Sequence, residues 1–133
     1  MKPLLLLALL AAASLGAGQI RPKHIVVPGY PRVARVARLQ GTVSVEIEIG
    51  PDGKVISAKA SGGHKLLQDA AEENIRQWTF EPSAPSENAP TTLRIAYVYR
   101  LEGKEEVYYS PPVVIFDLPE RVEIVGHPPK AQP

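Results

Sequence analysis

The sequence has 133 residues, with 15 basic and 14 acidic side chains, no cysteine and a formal net charge of +1. That balance excludes a nucleic-acid binder driven by bulk charge, and the missing thiol excludes disulfides, Cys-based zinc or redox sites and a lipoprotein-type anchor. With 44% hydrophobic residues, the chain suffices for one modest core whose stability must come from packing.

Residues 1–18 have the layout of a secretory signal peptide: Met1-Lys2 is a short basic start, Leu4 to Ala13 is apolar throughout, and Ser14 to Gly18 is small except for Leu15. The apolar run falls short of the roughly 20 residues that a membrane-spanning helix needs. Cleavage is expected after Gly18, with Ala13 as the rival point, and membrane contact is expected only if the segment is retained. Loss of Lys2 then brings the formal charge to zero. Residues 19–27 form a lead segment.

Tyr30 to Leu39 reads as a short helix in which Pro31 suits the first turn, Val33, Val36 and Ala37 form an apolar side, and Gly41 ends it. Arg32, Arg35 and Arg38 would line the opposite side as a basic stripe, expected to be a solvated face. From Thr42 to Ile49, Val43, Val45, Ile47 and Ile49 alternate with polar residues, the pattern of a strand with one buried face. Gly50-Pro51-Asp52-Gly53 turns the chain into Lys54 to Ser61, where Ile56, Ala58 and Ala60 continue the period of two. An antiparallel hairpin is expected.

Gly62-Gly63 breaks the strand, and from His64 the period lengthens. Leu67, Ala71, Ile75 and Trp78 recur at helical spacing, with His64 at the helix start and Lys65, Gln68, Asp69, Glu72, Glu73, Arg76 and Gln77 on the other side. Trp78, Phe80 and Pro82 are expected to fold the helix tail onto the core. Pro82, Pro85 and Pro90 mark a loop. Thr91 to Leu101 is a strand, with Leu93, Ile95, Tyr97, Tyr99 and Leu101 on one face and Arg94 and Arg100 on the other. In the extension at 102–126, Asp117 to Glu120 would turn Val113–Phe116 back on Arg121–Val125, and residues 127–133 are expected to be disordered.

The order helix, strand, strand, helix, strand indicates an α+β fold: a small antiparallel sheet of three strands, open to extension by the C-terminal tail, with two helices on one face. Charge is uneven along the chain. Residues 21–40 carry five basic side chains and no acid, and residues 101–125 carry six acids against Lys104 and Arg121, so the two ends could attract each other or a second copy. His24, His64 and His127 have no metal-ligand spacing, and no nucleophile elbow or phosphate-binding glycine loop occurs. Glu46 and Glu48 share a strand face but are exposed, with nothing to raise one pKa. No cofactor, metal or catalytic residue is expected.

Tyr30-Pro31 with Ala34, then Gln40-Gly41-Thr42-Val43, Pro51-Asp52-Gly53 with Val55, Gly63-His64 with Leu67 and Ala70-Ala71, and Arg76-Gln77-Trp78-Thr79-Phe80-Glu81-Pro82 resemble, in order and spacing, the C-terminal domain of the TonB family. The resemblance covers residues 28–101. It implies a non-enzymatic periplasmic module, part of proton-driven transport across the envelope. Such a module takes an extended segment, the TonB box of an outer-membrane TonB-dependent transporter, by strand addition at a sheet edge. The matching edge here is Thr92, Arg94, Ala96, Val98 and Arg100, and the family's second contact corresponds to Val27, Pro28, Tyr30 and Pro31. Where the family commonly carries Gln before the first Pro, Val27 stands. Gln19 to Pro28 spans at most about 32 Å when extended, with no Pro-Lys linker. The edge of Thr92–Leu101 could instead be paired by the tail or by a second copy, which gives the alternative of a self-associating structural or adaptor protein of the cell envelope, a homodimer included.

Overall fold

In the computed structural model, which describes residues 20–81, 90–107, 110–118 and 120–130, the alternating and helical patterns fold into one layered core. The expected leader and the proline-rich loop at 82–89 lie outside the described residues. The elements are β1 (Pro22–His24), α1 (Arg32–Val36), β2 (Gly41–Ile49), β3 (Val55–Ser61), α2 (Lys65–Arg76), β4 (Thr79–Phe80), β5 (Thr91–Leu101), β6 (Val113–Asp117) and β7 (Arg121–Gly126). The main sheet has the order β3-β2-β5-β7-β6, and β1 pairs separately with β4.

The α+β class and the two helices on one face are as expected. The inward residues of β2 and β5 share one buried cluster with Ala34 of α1 and Leu67, Ala71 and Ile75 of α2. The turn closes with Gly53 N–H donating to Gly50 C=O at 2.9 Å, and Asp52 Oδ1 accepts from Lys54 N–H at 3.1 Å. His64 caps α2, its Nδ1 accepting from Leu66 N–H at 3.1 Å.

The short β1–β4 pairing lies outside the expected elements, whereas the turn-back of β6 on β7 and an extension of the sheet by the tail are among them. The tail extends the sheet: β6 and β7 form an antiparallel hairpin, and β7 pairs with β5 over Ala96–Leu101. That pairing is parallel, so the sheet is mixed and not purely antiparallel. Val122 and Ile124 of β7 are fully buried, which makes the hairpin part of the core.

The first helix is shorter than the expected Tyr30–Leu39, and its faces are exchanged. Val33 and Val36 are exposed, whereas Ala34 and Arg35 are buried. Arg38, with φ 55°, and not Gly41, turns the chain out of the helix. Arg35 is buried because the C-terminal extension supplies acceptors: Nη1 donates to Ser110 C=O at 2.8 Å and Nη2 to His127 C=O at 3.1 Å. Arg38 Nη2 donates to Pro129 C=O at 2.9 Å and lies 3.5 Å from Glu105. The basic and acidic ends of the chain therefore do meet, within one molecule. Backbone bonds between Glu106 and residues 128 and 130 hold part of the segment expected to be disordered, which corrects that expectation for residues 127–130. Residues 131–133 lie outside the described residues.

Ile56 also departs from its expected inward position. The β2–β3 register shifts between Glu48 and Ile49, so that Ile49 pairs with Val55 and Ile56 is left exposed on the bulged strand.

Candidate functional site

The lead segment is fixed from inside the core. Asn74, on the inward side of α2, donates from Nδ2 to Val26 C=O at 2.9 Å, and Trp78 Nε1–H is shared between Val26 C=O and Asn74 Oδ1, each at 3.0 Å. Tyr97 Oη–H donates to the same Asn74 oxygen at 2.8 Å. One buried amide thus ties the lead segment, α2 and the central strand, with its nitrogen bonded once and its oxygen accepting twice. Sequence reasoning passed over Asn74. The available signal was a polar residue placed on the buried stripe, three after Ala71 and four before Trp78.

Because Val26 is anchored, the next residues run over α2 and leave a groove of about 300 Å³ lined by Val26, Val27, Gly29, Tyr30, Pro31 and, from α2, Ala70, Glu73, Asn74 and Gln77. Of the expected site residues, Val27 is 65% exposed and Pro31 half-buried, whereas Pro28 and Tyr30 are buried. The Tyr30 hydroxyl donates to Leu39 C=O, and its ring meets Tyr99 edge-on with centroids 5.4 Å apart. Tyr30 therefore braces the segment from beneath.

Burial pushes the Tyr30 hydroxyl up from 10.0 to about 12, against a smaller opposing effect of Arg35. Burial also raises Tyr97 and Tyr99, each further by its neighbouring tyrosine. A phenol whose pKa is higher folded than unfolded contributes stability that is intact below pH 10 and is lost as pH rises through the folded value. Heating or urea should therefore unfold the chain progressively more easily from pH 10 to 12. The part of the phenolate absorbance that belongs to Tyr30, Tyr97 and Tyr99 should appear together with loss of the far-ultraviolet circular dichroism; ionisation of all five tyrosines with full native dichroism would contradict this.

The β5 edge is only partly open. Ala96, Val98 and Arg100 lie in the stretch paired with β7, whereas Thr92 and Arg94 lie beyond it, with Ala96 N–H donating to Glu120 C=O at 2.8 Å as the last such contact. The side chains are on the face away from the helices, where Arg94 meets Glu46 at 3.1 Å and Arg100 meets Glu102 at 3.3 Å and Glu123 at 3.4 Å. The lead-segment residues and the β5 residues thus belong to different parts of the surface.

The outer edges of the sheet are β3 and β6. β3 carries Lys59 and the bulge at Ile56, two features that discourage further pairing. β6 begins with Val113-Val114-Ile115-Phe116, with no charge before Asp117; Val113 is 62% and Ile115 47% exposed. Phe116 reaches back to Trp78, ring centroids 6.2 Å apart. Among the described residues, no group of three His, Asp or Glu side chains could hold a metal ion, and no helix is long and apolar enough to cross a membrane.

Residues 26–101 match the family model described as Gram-negative bacterial TonB protein C-terminal. The chain belongs to the TonB C-terminal family. The chain is also similar to Protein TonB of Vibrio cholerae serotype O1, 37% identical over 82 residues, which cover 59% of this chain and 33% of that protein. Protein TonB of Klebsiella pneumoniae is 26% identical over 82 residues, covering 60% and 32%, and that of Escherichia coli K12 is 26% identical over 85 residues, covering 60% and 33%. The chain spans about a third of the length of these relatives. No solved structure matches it significantly. The TonB match ends at Leu101, where β5 ends. The β6–β7 hairpin is thus an addition to the matched TonB domain, docked on its last strand.

Proposed function

We infer that the chain is a non-enzymatic, periplasmic TonB-like binding module that takes an extended segment of an envelope partner by strand addition, and that the partner is an outer-membrane TonB-dependent transporter presenting a TonB-box-like peptide. Family membership supports the transport role, and the observation that carries strand addition is the outer β6 edge, which pairs with no strand among the described residues beyond β7. The hairpin moves the pairing surface from β5 outward by two strands, about 9–10 Å. Reaching Ala96, Val98 and Arg100 would mean stripping off β7 and exposing Val122 and Ile124, at about 1.5–3 kcal/mol for each side chain. Among the described residues no strand pairs with the outer side of β5 at Thr92 and Arg94, and Val27 and Pro31, supported by the buried Pro28 and Tyr30, provide the second contact.

A self-associating envelope protein is the second reading, favoured by the uncharged run at β6, which would suit the same run of another copy. Amide-shift titration with a TonB-box-like peptide, after sedimentation to fix the mass, separates the two. Strand addition predicts saturable shifts along Val113–Asp117. Shifts confined to Thr91–Ile95 would return the site to β5. A mass that rises with concentration, with no response to peptide, would establish self-association instead.

A further inference from the structure

We propose, on the reading that a strand adds at β6, that this edge selects its partner by sequence and takes a short uncharged segment with apolar side chains on both faces. The main chain sets the length. Ala96 N–H donates to Glu120 C=O and Glu102 N–H to Gly126 C=O, each at 2.8 Å. With β7 parallel to β5 and Ala96 opposite Arg121, those bonds mean that Val122, Ile124 and Gly126 turn their N–H and C=O groups toward β5. Arg121, Glu123 and Val125 therefore turn theirs toward β6, where they pair with Asp117, Ile115 and Val113. Along β6 that leaves Val114 and Phe116 with main-chain groups directed away from the sheet. The next outward position before them is Pro112, which has no N–H to give, and after them the strand ends at Asp117. Two residues of β6 carry the open ladder, which suits a partner of about five residues, roughly 17 Å when extended.

The side chains set the composition. Val114 and Phe116 stand opposite Ile124 and Val122, both fully buried, so they form the outermost row of the core layer. Phe116 is still 37% exposed, although its ring lies 6.2 Å from that of Trp78. Partner side chains on this face would complete the cover over Phe116. On the other face Val113 and Ile115 are exposed, and partner side chains there would lie beside them.

No charge occurs on β6 before Asp117, whose cross-strand partner is Arg121. A charged partner residue alongside Val113–Phe116 would lose water without gaining a counter-ion from β6. A strand of the half-buried kind, apolar on one side and polar on the other, satisfies only one face of this edge. The segment selected is one composed like a fully buried strand, in uncharged β-branched residues.

The test uses the chain from residue 19 and three capped peptides with the same Lys-Ser and Ser-Lys flanks. Their centres are Val-Ile-Val-Ile-Val, apolar on both faces, Val-Thr-Val-Thr-Val, which keeps strand propensity with one polar face, and Val-Glu-Val-Glu-Val. The first should shift the amides of Val113–Asp117 saturably, the threonine peptide should bind about three- to tenfold more weakly, and the glutamate peptide more weakly again. Ile115→Thr, which alters only the outer face, should weaken the first peptide and leave the threonine peptide unchanged. Val114→Pro removes one outward N–H, a group that bonds to no strand within the chain. Its β6–β7 pairing should therefore persist by amide shifts, and the first peptide should lose affinity beyond the loss caused by Val114→Ala.

Equal affinity of the three peptides at Val113–Asp117, or a difference that Ile115→Thr leaves intact, overturns the selection and leaves strand addition standing. Loss of the β6–β7 pairing in Val114→Pro, or unchanged binding by it, overturns the assignment of the main-chain groups. No shift at β6 with any peptide rejects strand addition there and the selection with it. A mass that doubles with concentration and that the first peptide does not reverse gives the edge to a second copy, and likewise overturns the proposal.

Discussion

Trp78→Ala should lower the unfolding free energy by about 3–5 kcal/mol, the range for truncating a buried tryptophan. Trp78 is 1% exposed, packs near Phe80 and Phe116, and donates to both Val26 and Asn74. Truncation opens a cavity where α2 runs onto the sheet and removes one of two donors holding Val26, so the lead segment and its groove should loosen as well. Against the roughly 5–15 kcal/mol typical of a folded domain, this is a large fraction. Trp78→Phe separates the two contributions: it keeps most of the apolar contact, loses the N–H and should cost about 0.5–1.5 kcal/mol more than its volume change alone. Trp78 is the only tryptophan, so urea titrations of all three proteins should be followed by circular dichroism. A midpoint for Trp78→Ala close to that of the parent would refute a core role.

Gly53→Ala should be nearly as damaging, although it adds a single methyl group. Gly53 sits at φ +87°, and a Cβ there would stand 2.0 Å from Phe80 C=O. Its own C=O accepts from Phe80 N–H at 2.8 Å, so neither backbone can withdraw without breaking that bond. The left-handed conformation costs an L-residue about 1–2 kcal/mol, and overpacking adds about 1–3 kcal/mol. A total near 2–5 kcal/mol is expected from urea midpoints. Gly29→Ala is the matched control. With open space at its Cβ position, it should change stability by no more than about 0.5 kcal/mol. Equal behaviour of the two variants would show that the turn yields.

These two positions also mark what was legible in the sequence. β2 was readable because one face is buried and one is wet, and α2 because its apolar stripe holds over three turns. Trp78 and the Pro-Asp-Gly turn were placed correctly for the same local reason. The first helix was not readable: with five residues it has too few turns to average out, and its orientation is decided by carbonyls of Ser110 and His127 far along the chain. The strand character of β6 and β7 was local, but no periodicity states that β7 lies parallel to β5. The expected edge at Ala96, Val98 and Arg100 was sound as a strand, and the β6–β7 hairpin changed what lies beside it. The groove was hidden for a similar reason, since Val27 and Glu73 are brought together through Asn74.

The order of the strands gives the chain an unusual response to shortening. β6 precedes β7 in sequence but lies outside it in the sheet, and among the described residues β7 is its sole strand neighbour. A cut that removes β7 therefore leaves β6 with nothing to pair with, and β6 must leave too. Trimming from the C-terminal end should take the sheet from five strands directly to three, with no stable four-stranded form between them.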